Sequence, residues 1–136
     1  MNPSAKQRVL IIDDEESMRL LLGRLVESLP GVEVALAASC EEALRLANES
    51  VYDLILLDLL MPGIGGIEVL KRIRGSSPNS RTPVIIVSVM ADQATRNVCK
   101  SMGVSEYIVK PIDRHSFAAA IKAQLAANSK AGNGGT

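Results

Sequence analysis

Five polar residues stand at the ends of apolar runs in this chain, and their types could together support chemistry on a phosphate group. Asp13 and Asp14 follow the first run, Asp58 follows the third, and Ser88 and Lys110 end the fourth and fifth. Two carboxylates about 4 Å apart repel by roughly 4 kcal/mol at an effective dielectric of 20, so a cluster of them favours a bound cation. Carboxylate oxygens with few other protein ligands suit Mg²⁺, which keeps several waters and meets a phosphate.

Each of these residues also has an ordinary structural interpretation when it is taken alone. Asp14 could cap the helix that follows it, and Asp58 could serve the turn before a Pro-Gly loop. Ser88 could be a helix cap, and Lys110 could be a solvated strand end. Convergence of these residues at one place would favour a shared site, and that convergence depends on the fold.

Apolar strands and amphipathic helices alternate along the chain. The strands are predicted at 8–12, 32–37, 53–57, 83–88 and 107–109. Apolar residues at steps of three and four predict a first helix, which stops at Pro30 and Gly31. Ser39 and Glu42 form a capping box for a second helix, which runs to about Glu49. The remaining helices are a short one carrying Val69, Leu70 and Ile73, and two longer ones at about 92–102 and 113–127.

Five strands alternating with five helices predict an α/β fold, with helices on both faces of a doubly wound parallel sheet. The first, third and fourth strands are the most apolar and belong at the centre of the sheet, which the strand order 2-1-3-4-5 allows. Ligands bind such a sheet at the carboxyl ends of the strands where the winding reverses, here between strands one and three. Asp13, Asp14 and Asp58 are therefore expected to converge at that point.

The composition limits the possible functions. A length of 136 residues suits one domain, over 1–127, followed by a polar, Gly-rich segment over 128–136 that we expect to be a flexible tail. The formal net charge of +0 argues against direct binding to nucleic acid. Cys40 and Cys99 lack metal-ligand spacing, and free thiols indicate a cytoplasmic location. No apolar run is long enough for a signal peptide or a membrane span.

The residues at the strand ends resemble those of the receiver domain of two-component response regulators, the CheY-like family. The resemblance runs from Arg8 to about Ala127, and it includes Met61-Pro62-Gly63 behind Asp58 and Lys110-Pro111 after the fifth strand. It implies a phosphorylation-dependent signalling domain that assists its own phosphorylation and dephosphorylation, rather than an enzyme.

The resemblance also implies a role for each residue near the acidic cluster. Asp58 would be the phosphoacceptor. Mg²⁺ would be held by the carboxylates of Asp13, Asp14 and Asp58 and by the backbone carbonyl of Leu60. The ammonium group of Lys110 would pair with the phosphoryl group.

A second set of implied roles concerns how the signal leaves the site. The Ser88 hydroxyl would bond to the phosphoryl group, and Ser88 and Tyr107 together would form the switch. The Lys110–Pro111 peptide bond would be cis. The implied partners are a histidine kinase or phosphotransfer protein and a downstream output protein or domain, without direct contact with nucleic acid or membrane. The surface of helix four, strand five and helix five could also form a phosphorylation-dependent dimer.

Three other kinds of protein share parts of this pattern. A phosphatase of the haloacid dehalogenase type needs a second acid at position 60, which is Leu60, and a flavodoxin needs a hydroxyl-rich loop where Asp13 and Asp14 stand. A receiver-like interaction module that no longer takes phosphate is the main alternative, and it predicts the loss of site residues. Val89 departs from the family because a small residue is usual there, and its bulk is expected to narrow access to Asp58.

Overall fold

The computed structural model describes the backbone of residues 6–134, and the side chains of that range apart from Ser76 and residues 129–134. The elements alternate along the chain as follows: β1 Gln7–Ile12, α1 Glu16–Glu27, β2 Val32–Ala37, α2 Cys40–Glu49, β3 Leu54–Leu57, α3 Gly65–Ser76, β4 Val84–Ser88, α4 Gln93–Ser101, β5 Glu106–Val109 and α5 Arg114–Gly134. Within the described residues, no helix combines the length and the apolar character needed to cross a bilayer.

The five strands form one parallel sheet in the order β2-β1-β3-β4-β5, as the sequence predicts. In the register, Ile12 at the end of β1 lies opposite Leu57 at the end of β3. The residues that follow these two strands are therefore neighbours at one edge of the sheet. On the other side of β3, strand β4 ends at Ser88, which lies opposite Val109 of β5. Lys110 follows Val109 directly.

Alternate residues of the central strands enter two separate hydrophobic cores, because successive strand side chains point to opposite faces. On one face, α1 and α5 bury a cluster that includes Leu22, Val26, Phe117, Ile121 and Leu125. On the other face, helices α2, α3 and α4 bury a second cluster that includes Ala43, Ala47, Val69, Leu70, Ile73 and Cys99. The central strands are buried on both sides, which explains their unbroken apolar sequences.

Two helix ends differ from the simplest expectation. The N-cap of α1 is Glu15, which makes no capping hydrogen bond through its side chain, so Asp14 does not cap this helix. Only half of the capping box of α2 forms. The Ser39 hydroxyl accepts from the Glu42 N–H, but the Glu42 carboxylate accepts from the N–H of Ala38 rather than from that of the cap residue.

Helix α5 is longer than the sequence indicates. The sequence predicts an end at Ala127, whereas the helical backbone continues to Gly134. The amide of Asn128 donates to the carbonyl oxygen of Asp53 at 2.6 Å, so this residue joins the packed part of the fold rather than the predicted tail. Gly135 and Thr136, the end of that predicted tail, lie outside the described residues.

Candidate functional site

The parallel sheet brings the three acidic residues together. Beyond the strands themselves, the Asp58 N–H donates to the carbonyl of Ile12 and the Asp13 N–H donates to that of Ala37, so the backbone ladder continues into the two loops. Carboxylate oxygens of Asp13, Asp14 and Asp58 all lie within 4.8 Å of one another. The convergence that the strand order predicts is therefore present.

Lys110 lies against two of these carboxylates. Its ammonium nitrogen is 2.9 Å from Oδ2 of Asp13 and 3.0 Å from Oδ2 of Asp58. The backbone of Lys110 is fixed as well, because its N–H donates to the carbonyl of Ser88 at 2.9 Å. The following peptide bond, to Pro111, is cis.

Burial and charge shift the pKa values of this cluster. Burial raises the pKa of Asp13 above its ordinary range, and the hydrogen bond from Lys110 offsets that effect only in part. Burial alone would lower the pKa of Lys110, but the hydrogen bonds and charges of Asp13 and Asp58 outweigh it, so the pKa lies above its ordinary value. Lys110 therefore carries a full positive charge at neutral pH.

The remaining acceptor oxygens show which group is free to bind a ligand. Oδ1 of Asp13 accepts from the N–H of Glu15, and Oδ1 of Asp58 accepts from the N–H of Leu60. The exposed carboxylate of Asp14 has no hydrogen bond or ion pair among the described residues. One solvent-facing carboxylate beside two anchored ones is a donor set that fits a hard cation such as Mg²⁺.

Two residues that sequence reasoning missed support this cluster. The guanidinium of Arg19 donates to the carbonyl oxygen of Asp13 at 2.9 Å, and so connects α1 to the acidic turn. A Cβ atom at Gly66 would lie 2.5 Å from the carbonyl oxygen of Asp58 and 2.5 Å from the Cα of Leu59, so only glycine lets α3 start this close to the acidic loop. Position 66 follows another glycine in a loop sequence, and that pattern alone does not reveal a close approach.

Ser88 and Tyr107 are connected through the main chain of Met90. The Ser88 hydroxyl oxygen, which is fully buried, accepts from the N–H of Met90 at 3.3 Å. The carbonyl of Met90 accepts from the Tyr107 hydroxyl at 2.6 Å. The Tyr107 ring, which is half-buried, also lies under the Arg96 guanidinium, 4.8 Å from its ring centroid. Tyr107 thus joins β5 to the loop between β4 and α4.

The sequence profile of the family described as the response regulator receiver domain matches residues 9–122, which is nearly all of the folded chain. The chain belongs to this family. Receiver domains of this family serve two-component signalling systems, and they bind Mg²⁺ at an acidic site.

The names of proteins similar to this receiver domain are consistent with the family assignment. The transcriptional regulatory protein ResD of Bacillus subtilis is 35% identical over 125 residues, which cover 92% of this chain and 50% of ResD. The receiver chain spans about half the length of the curated relatives it matches.

Solved structures show the same fold. A CheY-like receiver domain protein from Methanospirillum hungatei JF-1 superposes with a TM-score of 0.83 at 26% identity, covering 92% of this chain and 98% of that one. The receiver domain of a sensor histidine kinase from Pseudomonas aeruginosa PAO1, with a TM-score of 0.77 at 28% identity, covers 90% of this chain and 99% of its own. That second structure contains a magnesium ion coordinated in its active-site cleft.

Proposed function

We propose that this receiver domain accepts a phosphoryl group on Asp58 and responds through the surface of α4, β5 and α5. The donor is a histidine kinase or a phosphotransfer protein of a two-component pathway. The observation that carries the proposal is the Lys110 ammonium, which is held between Asp13 and Asp58 by contacts of 2.9 and 3.0 Å beside the exposed carboxylate of Asp14. The receiver-like module that no longer takes phosphate is disfavoured, since every site residue is present.

In the proposed reaction, a carboxylate oxygen of Asp58 attacks the phosphorus of the donor. A bond forms between that oxygen and phosphorus, the bond from phosphorus to the donor breaks, and its electron pair leaves with the donor. The product is an aspartyl phosphate. Negative charge on the transferred group must be balanced, and the Lys110 ammonium is fixed where it can do so.

Asp13, Asp14, Asp58 and the carbonyl oxygen of Leu60 would hold Mg²⁺ in this proposal. Bound Mg²⁺ supplies charge stabilisation to the phosphoryl oxygens during transfer. Asp14 presents the free carboxylate, while Asp13 is fully buried and is oriented by bonds to Lys110 and to the backbone of Glu15. The side chains of Leu60, two residues after Asp58, and of Val89, next to Ser88, are both exposed. We propose that the bulk of Val89 narrows access to Asp58.

The proposed readout passes from Ser88 to Tyr107. A phosphoryl group on Asp58 offers the Ser88 O–H a charged acceptor. Turning the Ser88 side chain toward that acceptor would draw its oxygen away from the Met90 N–H, from which it now accepts at 3.3 Å. Movement of Met90 would displace the carbonyl oxygen to which the Tyr107 hydroxyl donates. The Tyr107 ring also contacts the guanidinium of Arg96 on α4. The altered surface would contact an output protein or domain, or a second copy of this domain.

The two cysteines of the chain are free and buried, which is typical of proteins from a reducing compartment. We therefore place the protein in the cytoplasm.

Intact mass measurement tests the proposed phosphorylation. The protein is incubated with Mg²⁺ and a small phosphodonor such as acetyl phosphate. We expect the wild type to gain one phosphoryl group, and Asp58→Ala and a sample with Mg²⁺ chelated to gain none. Labelling of Asp58→Ala at the wild-type rate would remove Asp58 as the acceptor.

A further inference from the structure

The side chain of Arg74, near the end of α3, binds the C-terminal end of α4. Its Nε donates to the carbonyl of Met102 at 2.9 Å, and its Nη2 donates to that of Gly103 at 3.2 Å. Its Nη1 donates to the carbonyls of Thr82 at 2.7 Å and Ser80 at 3.4 Å, in the loop before β4. One guanidinium thus connects the backbone at the end of α4 to the loop that precedes the central strand β4.

Few side chains of α4 pack into the core. Cys99 is the one residue of Gln93–Ser101 that is buried, and Val98 is 42% exposed. The carbonyls at a helix C-terminus lack partners within the helix and carry partial negative charge, so a cation that donates to them both satisfies and stabilises that end. Arg74 supplies this from a different helix.

The N-terminal half of α4 is held differently. It follows the loop through Met90, whose backbone bonds to Ser88 and Tyr107 and so leads to the proposed phosphoryl site. An apolar cleft of about 200 Å³ lies between this half and α3, lined by Ile67, Ala94, Thr95 and Val98. The start of the helix therefore borders an open apolar cleft, whereas Arg74 holds the backbone at its other end.

We propose that Arg74 is a positioning residue that makes the C-terminal end of α4 the fixed point of a lever. This inference rests on the proposed function, because the movement is driven from the phosphoryl site. When Asp58 is modified, the N-terminal half of α4 shifts, and the end held by Arg74 stays in place. Gly103, with a φ of 73°, provides the left-handed turn at which the helix meets the fixed loop.

Backbone amide spectroscopy tests the lever in wild type, Arg74→Gln and Arg74→Lys. The matched control is Arg72→Gln, since Arg72 lies on the same helix, is exposed and pairs only with Glu68 among the described residues. Spectra are recorded with Mg²⁺, before and after addition of beryllium fluoride as a phosphoryl mimic. In the wild type and the control, we expect shifts across residues 89–98 and small changes at 101–104.

In Arg74→Gln, the shifts should spread into residues 101–104, and amide exchange there should rise about tenfold even without the mimic, as expected for loss of a hydrogen bond to a charged group. Arg74→Lys, which keeps the charge but not the fork of donors, should fall between the two. Exchange of β3 amides reports on global stability and separates local release from unfolding.

Two results would overturn the lever. One is exchange at 101–104 in Arg74→Gln that matches the control, and the other is a wild-type shift at 101–104 as large as that at 89–98. If the mimic produces no shift in any variant, the proposed phosphoryl site fails instead, while the exchange measurement still decides whether Arg74 fixes the end of α4.

Discussion

At the scale of single residues, the site is a problem of charge balance. Asp13, Asp14 and Asp58 bring three carboxylates within 4.8 Å, and Lys110 offers one ammonium to two of them. Asp13 and Asp58 are buried, so water screens their charges poorly. The excess negative charge therefore lowers the free energy of unfolding when no cation is bound. The same charge favours the binding of a cation.

Neutralising Asp58 should therefore stabilise the protein in metal-free buffer. Relief of about 1 kcal/mol of repulsion in Asp58→Asn would raise the Tm by about 3 °C. Mg²⁺ should then stabilise the wild type more than the variant, because a ligand stabilises the state that binds it. Scanning calorimetry with and without Mg²⁺ measures both effects.

Glu41→Gln is the control for this prediction, since it removes one exposed carboxylate on α2 that is not part of the acidic cluster. We expect no rise in Tm and an unchanged response to Mg²⁺. An Asp58→Asn protein that melts below the wild type without metal would contradict the argument from crowded charges.

The contact between Gly66 and the acidic loop leads to a second prediction at this scale. In Gly66→Ala, the added Cβ would lie 2.5 Å from the carbonyl oxygen of Asp58, and the backbone must shift to relieve it. We expect a loss of about 1–3 kcal/mol of unfolding free energy, as for other overpacked sites. Denaturant unfolding gives this value, and weaker Mg²⁺ binding should accompany it.

Gly75→Ala is the matched substitution on the same helix, where an added Cβ meets no atom within 4 Å. Alanine is the better helix former, so this variant should be neutral or slightly more stable. Equal effects of the two substitutions would mean that helix propensity, rather than the approach of α3 to Asp58, governs position 66.

At the scale of elements, the loop between β4 and α4 connects the site to the surface. Met90 is the link, because its N–H bonds to the Ser88 hydroxyl and its carbonyl bonds to the Tyr107 hydroxyl. Helix α4 is capped at its start by Asp92, which accepts from the N–H and the hydroxyl of Thr95. The cap keeps the first turn of α4 helical, while the hydrogen bonds of the preceding loop to Ser88 and Tyr107 can change.

Removing the Ser88 hydroxyl should separate phosphorylation from its readout. A hydrogen bond to a charged acceptor contributes roughly 1.5–3 kcal/mol, comparable to the gap between two conformers but too little to abolish transfer to Asp58. Ser88→Ala should accept the phosphoryl group yet lose most of the amide shifts over residues 92–107. Intact mass and amide spectra with the mimic measure the two properties separately.

The control is Ser101→Ala, which removes an exposed hydroxyl that bonds to the carbonyl of Val98 on α4 itself. It should keep both the labelling and the shifts at 92–98. Full wild-type shifts in Ser88→Ala would show that the hydroxyl does not couple the site to α4, and would leave Tyr107 as a packing residue.

At the scale of the whole molecule, the sequence was sufficient for the architecture. The apolar character of β1, β3 and β4 placed them at the centre of the sheet, and a parallel sheet brings its carboxyl ends together by geometry alone. The sequence alone therefore predicts that Asp13, Asp14 and Asp58 lie together, because their position depends on strand order and not on side-chain packing.

Other features depend on tertiary contacts that no local pattern encodes. In the sequence, Arg74 is one of several basic residues on α3, and the residues beside it give no sign that its side chain bonds to the end of α4. The sequence also does not predict the length of α5. The polar residues after Ala127 indicate a tail, whereas the Asn128 amide donates to the carbonyl oxygen of Asp53. These contacts join segments that are distant in sequence, so they follow from the fold and cannot precede it.

Chemical trapping of the modified residue tests the central claim most directly. Borohydride reduces an aspartyl phosphate to homoserine with release of phosphate, and peptide mass spectrometry then locates the altered position. After reaction with Mg²⁺ and acetyl phosphate, we predict homoserine at position 58 and unaltered aspartate at positions 13 and 14. Homoserine at position 13 or 14, or phosphorylated protein with aspartate retained at position 58, would contradict the account.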